Sequence, residues 1–162
     1  MKARKALPEE TDKIFEIYAN ARKFMSENGN PTQWDNGYPD KLTVKDDIES
    51  DRLYVIEEDG NLLCVFSVFS DGETDYDNIE GAWLNSLPYI ALHRVASAGK
   101  RGGMVAECVS FVMREFNCND IRIDTHENNI PMKRSLERIG FIRCGKVNIT
   151  RAGERIAYHL HV

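Results

Sequence analysis

The chain is poor in several features, and each shortage removes a class of protein. No apolar run approaches the length of a membrane-spanning helix, and Met1-Lys2-Ala3-Arg4 leads into no apolar core of the signal-peptide kind. There is no Gly-x-Gly-x-x-Gly, hence no dinucleotide fingerprint, and no Lys-Ser/Thr follows a glycine run, hence no P-loop. Cysteine is sparse: Cys64, Cys108, Cys118 and Cys144 stand far apart, without metal-ligand spacing. They read as reduced, mostly buried thiols of a cytoplasmic protein that needs no metal. Positive charge is outnumbered, 21 Lys and Arg against 26 Asp and Glu, and the net charge of -5 argues against a nucleic-acid or anionic-membrane partner. No internal repeat, low-complexity tract or linker divides residues 1–162, so one α/β domain is expected.

What is present is organised around ALHRVASAGKRGGMVAECVSFVMREF, Ala91 to Phe116. Tyr89, Ile90, Leu92, Val95 and Ala96 suit a buried strand. The pattern breaks at Ser97-Ala98-Gly99, and from Met104 the apolar residues Val105, Cys108, Val109, Val112 and Phe116 recur at helical spacing. A strand, a glycine-containing basic loop and an amphipathic helix together aim backbone N–H groups at an anion, and Lys100 and Arg101 would add charge-assisted contacts to phosphate. The same stretch also suits an ordinary tight turn with a solvated basic loop.

Upstream, Lys2 to Leu7 suits an edge strand, and Pro8-Glu9-Glu10 a helix start. Ile14, Ile17, Tyr18, Ala21, Phe24 and Met25 form one helical stripe that ends at Asn28-Gly29. Asn30 to Asp40 reads as a loop carrying Gln33, Trp34 and Tyr38, whose aromatics either plug the core edge or line a pocket. Thr43 with Asp46 resembles a capping box for a short helix through Ile48. Leu53–Glu57 and Leu62–Ser70 flank Glu58-Asp59-Gly60-Asn61 as a hairpin. Asp71 to Asp77 holds four acids and reads as a solvated loop or a lure for a cationic substrate. Ile79 to Leu84 is a further short extended piece. Downstream come a strand over Asp120–His126, an N-cap at Asn128-Asn129, a helix ending at Gly140, and a closing hairpin from Phe141–Ile149 and Arg155–Val162.

LHRVAS, its continuation KRGGMVA, and the run from Asn129 to Gly140-Phe141 together resemble the GNAT N-acetyltransferase superfamily over nearly the whole chain. NPTQWDNGYP, IEGAWL and IRIDTHENN look like a bacterial subgroup of it. The resemblance implies a central, mixed, mostly antiparallel sheet with a splayed central strand, flanked by about four helices. It implies acetyl-coenzyme A as cosubstrate, held by Val95, Ala96, Ser97, Lys100, Arg101, Gly102, Gly103, Met104, Val105 and Asn129. It also implies a small-molecule primary amine as acceptor, with no metal, no nucleic acid and no membrane, and leaves a homodimer open. Two positions depart from the family pattern. The loop Gln/Arg-x-x-Gly-x-Gly/Ala fits Lys100-x-x-Gly103-x-Val105 at the glycine alone, and Arg101-x-x-Met104-x-Ala106 at both ends without it. The tyrosine that often protonates the leaving thiolate is Leu136.

Acetyl transfer to an amine needs a free-base nitrogen, a stabilised oxyanion and proximity. Candidate bases are Glu80, His93, Asp124, His126 and Glu127, of which Glu80 and His126 are preferred. Asn30, Gln33, Trp34, Trp83 and Tyr89 are the candidate acceptor contacts, offering aromatic walls with a few polar groups. A coenzyme A-binding sensor that has lost catalysis is the alternative left by Leu136, and a purely structural interaction domain is a third.

Overall fold

The computed structural model describes residues 1–162. Eight strands form one sheet: β1 Lys2–Lys5, β2 Leu53–Glu58, β3 Asn61–Phe69, β4 Glu80–Gly81, β5 Ile90–Ser97, β6 Asp120–Thr125, β7 Ile142–Ile149 and β8 Gly153–His161. Four α-helices flank it: α1 Thr11–Glu27, α2 Lys41–Glu49, α3 Met104–Glu115 and α4 Ile130–Ile139. The strand order is β1-β2-β3-β5-β6-β8-β7-β4, and every neighbouring pair is antiparallel except β5 and β6. A parallel pair needs a crossover connection, and α3 supplies it.

Both faces of the sheet are covered. The larger core cluster joins Tyr54, Phe66, Leu92, Ile121, Ile123 and Tyr158 to Val109, Phe111 and Val112 of α3 and Leu136 of α4. On the opposite face Ile14, Ile17 and Tyr18 of α1 and Val44 of α2 pack on Leu53, Val55, Val65 and Ala96. A smaller cluster of Tyr76, Ala91, Val147 and Ala157 continues that second face.

The helix starts differ from one another. Asp40 caps α2 by accepting from the Thr43 N–H at 2.8 Å, so the helix begins two residues before Thr43 and the expected Thr43–Asp46 box does not form. Asn129 caps α4, its Oδ1 accepting from Met132 N. Gly103 at the start of α3 has φ +80°, a conformation that favours glycine, and no side chain covers that helix's first turn. The short β4 lies flat on β7: Gly81 and Gly145 face one another so closely that a Cβ on either would strike the opposite backbone.

The decisive irregularity is in β5. It pairs with β6 only over Ile90–Leu92, opposite Ile121–Ile123. Beyond Leu92 the two strands part, β5 staying with β3 and β6 with β8. At the same point β5 bulges against β3, with Arg94 at φ +51°. Asp47 of α2 grips that bulge, accepting from Arg94 Nε at 2.8 Å and from its terminal nitrogen at 2.9 Å, while Ser67 Oγ donates to the same carboxylate at 2.7 Å. The Arg94 carbonyl in turn accepts from Tyr18 Oη at 3.0 Å.

Candidate active site

A cavity of about 460 Å³ fills the gap between the parted strands and reaches both faces of the sheet. Its β5 wall is the stretch from Leu92 to Gly99; its β6 wall is Ile123, Asp124 and Thr125. Met104 and Val105 of α3 and Met132 and Ser135 of α4 line it on one side. Trp34, Tyr38 and Phe24 line it on the other.

Three ionisable groups meet in this cleft. His93 Nε2 stands 3.1 Å from Glu73 Oε2, within ion-pair reach though off the hydrogen-bond axis, and His93 Nδ1 stands 3.7 Å from Asp124 Oδ2. The His93 contact, against the opposing effect of burial, holds the Glu73 carboxyl below its ordinary range. Buried Tyr76 donates its hydroxyl to Asp124 Oδ2 at 2.7 Å, leaving Asp124 Oδ1 without a partner in the protein. Glu73 is fixed through its backbone: the Tyr89 hydroxyl accepts from its N–H at 3.0 Å and donates to its carbonyl at 3.2 Å.

The loop between α1 and α2 forms a further wall of the cleft. Trp34 meets Tyr18 edge-on at 5.6 Å. Gln33 Oε1 accepts from Asn30 Nδ2 and Asn129 Nδ2, both at 2.8 Å, which ties the loop to the start of α4. Arg155 of β8 lines the same side and donates to the Gln33 carbonyl at 3.1 Å.

Of the residues singled out in the sequence, the cleft gathers Gln33, Trp34, Val95, Ala96, Ser97, Met104, Val105 and Asn129. Asn30 sits behind Gln33, buried. Lys100, Arg101, Gly102 and Gly103 occupy the exposed loop at the mouth, where Arg101 pairs with Glu58 at 3.0 Å. Glu80 lies elsewhere, exposed on β4, with β6, β8 and β7 between its strand and β5. Trp83 packs on Tyr76 and His159 outside the cleft, and Tyr89 reaches it indirectly, through the Glu73 backbone and by stacking on Tyr76. His126 stands beyond the end of β6, 3.4 Å from Thr32 Oγ1; burial and then Arg155 hold its imidazole below the ordinary value, hence neutral at pH 7. Glu127 is exposed next to it.

The fold of the whole chain superposes on the crystal structure of a GNAT-family acetyltransferase from Streptococcus agalactiae. The TM-score is 0.89 at 33% identity, over 99% of this chain and 95% of that one. The chain belongs to the GNAT acetyltransferase family. A GNAT-family acetyltransferase from Listeria monocytogenes shares the fold at TM-score 0.72 and 22% identity, covering 99% of this chain and 94% of that one. So does aminoglycoside acetyltransferase AAC(6')-Ib, crystallised with coenzyme A and kanamycin, at 0.67 and 15% with the same coverages. No family model and no curated protein matches the sequence.

Within this GNAT fold both departures now have a place. Leu136 is wholly buried in the larger core cluster and does not line the cleft, so its position supplies no hydroxyl. Gly103 stands at φ +80°, with no atom within 4 Å of where a Cβ would stand.

Proposed function

We propose that this GNAT protein moves the acetyl group of acetyl-coenzyme A to the primary amine of a small molecule by direct attack within a ternary complex. One observation carries the reading: the parting of β5 from β6 opens a cleft lined by free β5 backbone from Val95 onward, with the Glu73–His93–Asp124 cluster bridging its two walls. The cleft suits the cosubstrate at three points. Its volume takes an extended chain, the β5 wall from Val95 to Gly99 has no partner strand on the cleft side, and the uncapped first turn of α3 offers N–H groups to a phosphate.

Acetyl-coenzyme A supplies an activated thioester: the amine nitrogen bonds to the acyl carbon, the carbon–sulfur bond breaks and the thiolate leaves. A nitrogen that arrives as an ammonium sheds two protons in all, one before attack to free its lone pair and one after it, the second passing to the departing thiolate or to solvent. The chain's residues make that exchange feasible. Asp124 Oδ1 and Glu73 seat the ammonium and accept its proton, directly or through His93 between them. The backbone N–H at the Val95 bulge serves the oxyanion that develops on the thioester carbonyl. Trp34 and Tyr38 wall off water and orient the acceptor. With Leu136 in place of tyrosine, no side-chain acid is assigned to the sulfur, and a thiolate of pKa about 8.5 is a fair leaving group without one.

The test is release of free thiol from acetyl-coenzyme A across a panel of primary amines. Asp124→Asn should lower kcat by roughly 10²–10⁴-fold, the usual contribution of a positioned base. Absence of thiol release with every amine, despite binding of acetyl-coenzyme A, would remove the transfer reading. It would favour the second one that Leu136 supports, a coenzyme A-binding protein without turnover.

A further inference from the structure

Arg155 is a cation without a counter-ion. Its residue is 5% exposed, yet it lines the cleft. Two hydrogen bonds are made by its guanidinium, to the carbonyls of Glu154 at 2.9 Å and Gln33 at 3.1 Å, and it enters no salt bridge. A guanidinium carries five N–H donors, so most of its capacity is unmet. Arg94, the other arginine lining the cavity, is gripped through two nitrogens by Asp47. Taking an unpaired cation out of water is costly, and the cost is relieved when a ligand brings the missing anion. Burial holds the Arg155 guanidinium below its ordinary value, and the nearby Asp124 and Asp35 only partly restore it.

Resting on the amine-acetylating reading above, we infer that Arg155 binds a carboxylate of the acceptor, which makes the acceptor an amino acid or a similarly small amine bearing one carboxylate. The register supports the pairing of charges. Asp124 stands opposite Ala157 on β8, and Arg155, two residues from Ala157, projects from the same face. Diagonal neighbours of this kind lie about 7–8 Å apart, a span that admits one small molecule with its ammonium at Asp124 and its carboxylate at Arg155. A polycationic acceptor fits less well, since Glu73 and Asp124 are the only carboxylates lining the cavity. A doubly charged phosphate would overcompensate a single guanidinium beside those same two acids. The planar fork of arginine matches a carboxylate through two parallel bonds.

Calorimetric titration of the coenzyme A-loaded protein reads this without turnover. The probes are matched pairs: glycine and methylamine, L-leucine and isopentylamine, L-lysine and cadaverine, L-phenylalanine and phenethylamine, with phosphoethanolamine beside them. The tightest ligand should carry a carboxylate and bind at least about tenfold better than its decarboxylated partner, the equivalent of one strong charge-assisted contact. Arg155→Gln should close that gap, and Arg155→Lys, which keeps the charge but loses the fork, should keep part of it should the glutamine variant not fold. Equal binding within each pair, a gap that survives Arg155→Gln, preference for phosphoethanolamine, or no carboxylated ligand at all would overturn the inference. Absent thiol release alongside a carboxylate preference that Arg155→Gln abolishes would instead count against the transfer reading alone.

Discussion

Removing the Asp47 carboxylate should both destabilise the protein and loosen the cleft, because one ion pair holds the bulge that parts β5 from β6. Asp47 is 4% exposed, and Asp47→Ala would strand a largely buried guanidinium with only the Tyr38 hydroxyl, 2.9 Å away, as its side-chain hydrogen-bond partner. It would also leave Ser67 Oγ, wholly buried, without its acceptor. Breaking a buried pair from one side costs about 3–5 kcal/mol. For a domain of this size each kcal/mol lowers Tm by about 2–4 °C, so a loss of roughly 6–20 °C is expected. The assay is urea unfolding of wild type, Asp47→Ala, Arg94→Ala and the double variant, with coupling of at least about 2 kcal/mol expected between the two sites. The rise in Tm on adding acetyl-coenzyme A should shrink in Asp47→Ala, since Val95 to Gly99 take their course from the bulge. A coupling energy within about 0.5 kcal/mol of zero would refute the claim that this pair sets the geometry.

Three further outcomes are expected. Trp34→Ala should lower kcat/KM for the acceptor by roughly tenfold to a hundredfold, the equivalent of about 1.5–3 kcal/mol of lost apolar contact, with acetyl-coenzyme A affinity little changed; unaltered acceptor kinetics would leave Trp34 as packing only. Gly103→Val should abolish most of the Tm rise produced by acetyl-coenzyme A, because a branched residue at φ +80° is strained by about 1–2 kcal/mol and intrudes where the backbone must approach phosphate; a full rise would shift the loop register to Arg101 and Ala106. Tm should fall on acidification. Burial holds His159 below its ordinary value, and at Asp120 the upward push of burial is outweighed by hydrogen bonds from Asn85, His159 and His161. The unfolded chain therefore binds both protons more readily, so stability is lost first as pH drops below about 6.5 and again below about 4. His159→Gln should shrink the upper step, to which His126, likewise held below its ordinary value, also contributes, and a Tm that holds or rises between pH 7 and 5 would contradict the assignment.

Much of the architecture was legible because local chemistry and burial agree. The apolar stripe of α1, the period change after Gly103, the Asn129 cap and the glycine stop at Gly140 are all local signals, and each element stands within a few residues of its expected bounds. The start of α2 differs from the expected one for a local reason: Asp40 and Thr43 are both good caps. Which one serves depends on where the preceding loop delivers the chain, and Arg22 helps to set that by donating to the carbonyls of Tyr38 and Pro39.

The chemistry of the cleft was legible only in part, because it depends on strand order and register. His93 and Asp124 are visible as candidates, but the sequence alone prefers Glu80 and His126, and only the topology puts Glu80 on β4 at the far edge, beyond β7. Glu73 carried no signal of its own among the acids of Asp71 to Asp77; it is singled out only by Tyr89, sixteen residues on, through its backbone. Arg155 was hidden more thoroughly. In Arg155-Ile156-Ala157-Tyr158-His159-Leu160-His161 the polar Arg155, His159 and His161 share every second position with the small Ala157, close to the pattern of a strand with one wet face. Here that face is instead covered by the cleft loop, by Trp83 and by the Asp120 cluster, so Arg155 and His159 are buried and must each find a partner. His159 finds Asp120 at 2.9 Å, and Arg155 finds only carbonyls. Among side chains drawn from one alternating pattern, the one whose charge the protein leaves unanswered is the one that a substrate can answer.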